Sequence, residues 1–210
     1  MGMNAAYDVP AGEATAEIVE KKSRFIAHLI RISSEEEAAS FLREEKKKYW
    51  DARHHCSAFV LGPGCELTRC SDDGEPSGTA GRPMLDVLLG SGLHDTAAVV
   101  TRYFGGVLLG TGGLVRAYSA ALQAAVARTA RIHVCYGRPF EITAEYTDYG
   151  KVEHLLRSSQ IEPDETGYGE KVTVHLMVPE DACEKLRKDL TEGTNARARI
   201  RIGDPRWYER

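Results

Sequence analysis

At 210 residues the chain is longer than a typical single domain and too short for three. Its 42% apolar content suits packed cores and excludes a disordered chain. No run nears the ~20 apolar residues needed to cross a bilayer, and residues 1–10 carry no basic or apolar signal region, so a cytoplasmic protein with no membrane partner is expected.

The elements read in chain order as follows. Glu13–Glu20 and Ser23–Ile32 suit two strands joined tightly at Lys21-Lys22. A helix follows Ser33/Ser34, with Ala38, Phe41, Leu42, Glu45 and Tyr49 along one stripe. Phe59-Val60-Leu61 and Leu67–Cys70 read as strands around Gly62-Pro63-Gly64, and a polar loop spans Ser71–Gly81. Pro83 begins a short helix that Gly90 and Gly92 end. Thr96–Phe104 is an apolar strand running into a glycine-rich segment, and a long helix spans about Gly112 to Ala130 with Thr111 as its N-cap.

Arg131–Gly137 is the expected junction between a domain of residues 1–135 and one of residues 136–210. In the second, Pro139–Tyr146 is strand-like and Asp148 caps a helix bearing Val152, Leu155 and Leu156. Ser159–Thr166 and Glu170–Val178 form a hairpin around Gly167-Tyr168-Gly169. Pro179 opens a helix with Ala182, Cys183, Leu186 and Leu190 inward, and Arg197–Ile202 alternates as a half-buried strand. The order βαββαβ is the ferredoxin-like signature, so the fold class is α+β. Five cysteines at irregular spacing (Cys56, Cys65, Cys70, Cys135, Cys183) read as buried, reduced thiols, and no metal site is expected.

The net charge of −4 is unevenly spread. Residues 96–140 hold Arg102, Arg116, Arg128, Arg131 and Arg138 and no acid, whereas both flanks are acidic. Such a block is a candidate anion-facing surface. Within it, Gly105, Gly106, Gly110, Thr111, Gly112 and Gly113 lead from strand to helix, and Leu114, Tyr118, Ala121, Leu122 and Ala125 form the helix's buried stripe. Free amides at a helix start suit a phosphate or carboxylate. Arg116 in the first turn and Arg102 before the loop supply cations, with Arg82 as a further one. The same glycines also suit tight turns and close packing with nothing bound. The spacing fits neither a Walker A loop nor a dinucleotide fingerprint.

A second unusual stretch is the loop holding Asp72, Asp73, Glu75, Ser77 and Thr79, which could bind a cation, serve acid–base chemistry, or be solvated. Arg197, Arg199 and Arg201 fall on one face of the last strand, open to a phosphate backbone. No aromatic base-reading platform accompanies them there.

The segments KSRFIA (Lys22–Ala27), ARHHCSAFVLG (Ala52–Gly62), DDGEPSGTAGRPML (Asp72–Leu85) and TRYFGGVLLGTGGLVRAY (Thr101–Tyr118) closely resemble the IMPACT family and its bacterial, YigZ-like branch. The resemblance implies a core of the left-handed βαβ superfamily, similar to domain IV of elongation factor G, followed by a domain similar to that factor's last, ferredoxin-like one. It also implies a link to translational control through eukaryotic relatives, which carry a further domain that this chain lacks. The first functional expectation is a non-enzymatic, translation-associated regulator that binds RNA, the ribosome or a translation factor through the Arg-bearing glycine-rich loop. The alternatives are a small-molecule phosphate- or nucleotide-binding enzyme using that loop, for which no catalytic residue or cofactor is identified, and a protein–protein regulator without nucleic acid. The oligomeric state is not legible.

Overall fold

The computed structural model describes residues 6–210, which divide into two compact units at His133/Val134. The first contains β1 (Tyr7–Pro10), β2 (Ala14–Glu20), β3 (Ser23–Arg31), α1 (Glu35–Lys48), β4 (His54–Leu61), β5 (Leu67–Ser71), α2 (Gly81–Ser91), β6 (Thr96–Tyr103) and α3 (Thr111–Val126). Five strands form an antiparallel sheet in the order β2-β3-β6-β4-β5. Because β3 and β4 both run antiparallel to β6, they are parallel to one another and need the crossover helix α1.

β6 is buried on both faces, which is why it reads as an unbroken apolar run. Ala98 and Val100 join the main core with Leu114, Tyr118, Ala121, Leu122 and Ala125 of α3 and Met84, Leu85 and Leu88 of α2. Ala97 and Val99 point the other way, into a smaller core with Ala38 and Phe41 of α1.

Several expectations are corrected in detail. Thr111 is the first helical residue of α3, and the cap position is Gly110 at φ 73°, with no side-chain cap. The helix stops at Val126, where Thr129 Oγ1 takes the Ala125 carbonyl and the chain turns into the next strand. The expected junction, Arg131–Gly137, lies within that strand, β7 (Arg131–Ala144). β1 was not foreseen, being four residues long and ending in proline. Three thiols are buried, but Cys65 is half-buried and Cys70 is exposed, since β5 lies at a sheet edge.

The second unit adds α4 (Tyr146–Ser158), β8 (Glu165–Tyr168), β9 (Val172–Pro179), a 3₁₀ turn, α5 (Cys183–Gly193), β10 (Arg199–Ile202) and β11 (Arg206–Glu209). β10 and β9 pair antiparallel with opposite edges of β7, and β8 pairs with β9. The resulting order β10-β7-β9-β8 is that of a ferredoxin-like fold. Its core joins Phe140, Ile142, Val174 and Leu176 of the sheet to Val152, Leu156, Leu186 and Leu190 of the helices. β11, after Pro205, adds a further pairing to β7.

Asp148 does not cap α4; Glu145 holds that position, and Asp148 lies in the first turn. There it accepts two hydrogen bonds from Arg197, Nε at 2.8 Å and Nη2 at 2.6 Å, which hold its carboxyl below the ordinary range. Asn195 and Ala196 have positive φ, so the extended backbone starts only at Arg199 and Arg197 is released towards α4. Arg201 meets Glu141 at 3.3 Å. The expected phosphate-facing triplet is thereby reduced to Arg199 alone. No helix among the described residues is long and apolar enough to cross a membrane.

On the α1 side of the first sheet, His28 is 7% exposed and is held by Glu45 (Nδ1 to Oε1, 2.9 Å) and Glu13 (Nε2 to Oε2, 3.1 Å). The bond to Glu45 raises the imidazole pKa above its ordinary 6.5. Burial alone would raise Glu45, but His28 and Lys48 outweigh it and the net shift is downward. The His28 contribution to stability is therefore complete below pH 6.5 and is lost as pH rises through the raised folded value. The Glu45 contribution is lost as pH falls through its lowered value. The urea midpoint should accordingly decline as pH rises above 6.5 in the native chain, and His28→Gln should flatten that decline. Superimposable pH profiles would contradict this assignment.

Candidate functional site

The four sequence segments that stand out in the chain converge on one buried polar network in the first unit. Arg102, at the end of β6, faces the main core and is only 6% exposed. Its Nη1 donates to Glu75 Oε1 at 2.6 Å and its Nη2 to Ser23 Oγ at 3.4 Å. Tyr118 of α3 donates to the same Glu75 oxygen at 2.8 Å, and the Gly105 amide donates to Ser23 Oγ at 3.2 Å. The guanidinium lies 5.4 Å from the centre of the Phe25 ring and 5.6 Å from that of Phe104. Arg102 is thus neutralised inside the protein. It is not the free cation that its position beside the loop led us to expect.

The acidic loop before α2 is also used by the protein itself. Asp72 Oδ1 accepts from the amides of Ala80 (3.0 Å) and Gly81 (2.8 Å), and Oδ2 from Gly78 (2.8 Å). Burial opposes its ionisation, but these amides win and its pKa is lowered. The start of α2 therefore already holds an anion, supplied by the chain. A Cβ on Gly81 would lie 2.7 Å from the Ser71 backbone, so this closeness requires glycine.

Asp73 accepts from the His55 amide (2.7 Å) and from Lys46 Nζ (2.8 Å), and its carbonyl meets His54 Nδ1 (3.0 Å). Thr79 Oγ1 donates to the Pro76 carbonyl, whereas Ser77 is exposed. The Cys56 thiol donates to the Asp72 carbonyl, and burial pushes its pKa up to about 12. Burial likewise raises Tyr118, which stays a donor to Glu75. The loop's carboxylates are engaged as caps and ties within the chain. Arg82 is exposed and its Nε pairs with Asp86 at 2.9 Å, one turn along α2.

What remains open is the start of α3. Several glycines there have packing roles: a Cβ on Gly105 would collide with the Lys22 backbone, Gly106 and Gly110 have φ of 83° and 73°, and a Cβ on Gly113 would press on Leu109. Gly112 is unconfined apart from Arg116 nearby. The first amides of α3 (Thr111, Gly112, Gly113) have no intrahelical partner. Arg116 is exposed and, among the described residues, has no carboxylate partner. It lines a hollow of about 220 Å³ with Lys21, Glu20, Leu109 and Gly113. Lys21 and Lys22, both exposed and without a carboxylate partner among the described residues, form the β2–β3 turn that packs on Gly105. Sequence reading passed over these two lysines as turn residues; only their neighbourhood to a segment about ninety positions later makes them part of the site.

Comparison with known proteins gives a consistent picture. Residues 21–126 match the Impact N-terminal domain and residues 142–197 a domain of unknown function, DUF1949. The IMPACT family member YvyE of Bacillus subtilis is 44% identical over 92% of this chain and 89% of its own. The family member YigZ of Escherichia coli is 41% identical over 70% and 74%. A solved structure described as a hypothetical protein superposes with a TM-score of 0.62 at 34% identity, covering 93% of this chain and 96% of that one.

Removing one member of the buried pair leaves an unpaired charge in the core, which typically costs about 3–5 kcal/mol. Arg102→Ala should lower the stability of the first unit by roughly that amount in urea unfolding, and Arg102→Met combined with Glu75→Leu should recover much of it. A single-variant loss under 1 kcal/mol, about that of an exposed pair, would show that the network does not hold the site.

Proposed function

Because the chain belongs to the IMPACT family, we propose that it is a non-enzymatic, translation-associated regulator that binds RNA, in the ribosome or free, through the surface at the start of α3. The observation that carries this reading is the contrast between cations. Arg102 is buried against Glu75, and the exposed Arg82 is paired with Asp86, whereas Arg116, Lys21 and Lys22 are exposed near the helix-start amides with no carboxylate partner among the described residues. Arg116 is the sixth residue of α3, in its second turn, and its Nη1 reaches back to within 3.6 Å of a Cβ built on Gly112, so a phosphate on the first amides of the helix would meet it. The family resemblance to proteins linked with translational control supplies the translational context, and phosphate-backbone recognition is the chemistry that such a surface performs.

The enzymatic alternative is less well supported. Asp72, Asp73, Glu75 and Cys56, the groups a phosphotransferase or hydrolase would draw on here, are engaged in capping and packing. A partner that is purely protein would bring a carboxylate to the same cations and amides.

Three phosphate contacts predict a salt dependence of about twenty- to fortyfold loss in affinity between 50 and 200 mM salt. Filter binding to purified ribosomes and to a structured RNA should show it, and Arg116→Ala should weaken binding and flatten the slope by about one contact. Arg199→Ala, in the second unit, should change neither. Binding that ignores salt, or that Arg116→Ala leaves intact, would remove the proposal.

A further inference from the structure

The β2–β3 connection is a two-residue turn, because Glu20 pairs with Ser23. Its central residues, Lys21 and Lys22, have φ of 45° and 64°. Two consecutive positive φ values define the turn that normally takes Asn-Gly or Asp-Gly, since a side chain in this region crowds its own backbone. Two lysines are an unfavourable choice on backbone grounds, and both are exposed without a carboxylate partner among the described residues. Residues held in such conformations concentrate at ligand sites.

The turn sits directly on the glycine-rich loop, where the Lys22 backbone abuts Gly105. One residue earlier, Phe104 is 48% exposed, with the Arg102 guanidinium 5.6 Å from its ring centre as an internal support. Beyond Gly105, Val107 and Leu108 project between the left-handed glycines Gly106 and Gly110, Leu108 being 81% exposed. The turn that carries the unpaired lysines therefore abuts the segment that bears a backed aromatic ring and an aliphatic tip. A duplex presents phosphates but keeps its bases stacked inside. An unpaired strand offers phosphates together with base faces that stack on aromatic rings.

We infer that this surface selects unpaired nucleotides, with Lys21, Lys22 and Arg116 on the phosphates and the Phe104 ring as the platform for a base. The inference rests on the RNA-binding reading above and narrows its ligand to single-stranded or looped RNA. Lys21 and Lys22 are then binding residues kept in place of a more favourable turn sequence.

Fluorescence anisotropy with a short uridine-rich RNA, alone and annealed to its complement, tests this at fixed salt. The single strand should bind at least roughly tenfold more tightly. Phe104→Ala should weaken the single strand by roughly tenfold and leave the duplex unchanged. Phe104→Leu, which keeps apolar bulk over Arg102, should do the same, so a folding defect in the alanine variant cannot hide the result. The double variant Lys21→Asn/Lys22→Gly should raise the melting temperature by about 2–4 °C while weakening both RNAs. Equal affinity for the two forms, or full single-strand binding by Phe104→Leu, overturns the inference while leaving the RNA reading standing. If neither form binds and ribosomes are not bound in the salt series above, both readings fall together.

Discussion

The ion pair between Arg102 and Glu75 is the constraint around which the first unit is organised. A guanidinium in a protein core is tolerated only when its charge is met by nearby groups. Here the partners come from four separate stretches of chain: Ser23 and Phe25 at the start of β3, Glu75 in the loop before α2, Phe104 beyond β6, and Tyr118 on α3. Meeting the needs of one buried side chain therefore ties the β2–β3 turn, the acidic loop and the glycine-rich loop to one another. The surface at the start of α3 inherits its shape from this interior contact, because Gly105 is held on Ser23 and packs against Lys22.

The same economy explains the acidic loop. Asp72 fills an amide cradle at the start of α2, as an external anion would at α3. The two helix starts make an instructive contrast. α2 is closed by the chain's own carboxylate, whereas α3 follows Gly110 with no side-chain cap and carries an exposed arginine in its second turn. Of two chemically similar features, only the second remains available to a ligand.

The second unit contributes less charge to recognition than its arginines promise. Arg197 serves Asp148 and Arg201 faces Glu141, so the last strand is largely balanced within its own sheet and helix. The ferredoxin-like order is satisfied by apolar packing between one sheet face and two helices. The other face carries polar and charged residues such as Thr173, His175 and Glu141.

Local pattern alone determined most of the architecture. The helical stripe from Leu114 to Ala125 and the βαββαβ order are properties of neighbouring residues, and the period of the side chains declares them, whereas the alternation read over Arg197–Ile202 holds as a strand only from Arg199. The short strands β1 and β11 escaped because four residues flanked by proline carry too little period to be distinguished from loop. Which charges are free was decided only by the tertiary structure. Arg102 and Arg116 look alike in an acid-free segment, yet Glu75 lies 27 positions from the first and reaches it across the fold, while no carboxylate among the described residues reaches the second. Lys21 and Lys22 join the site for the converse reason, since a turn near the start of the chain is folded against a glycine far along it. Electrostatic pairing depends on distance in space, and linear order does not encode that distance until the chain has closed on itself.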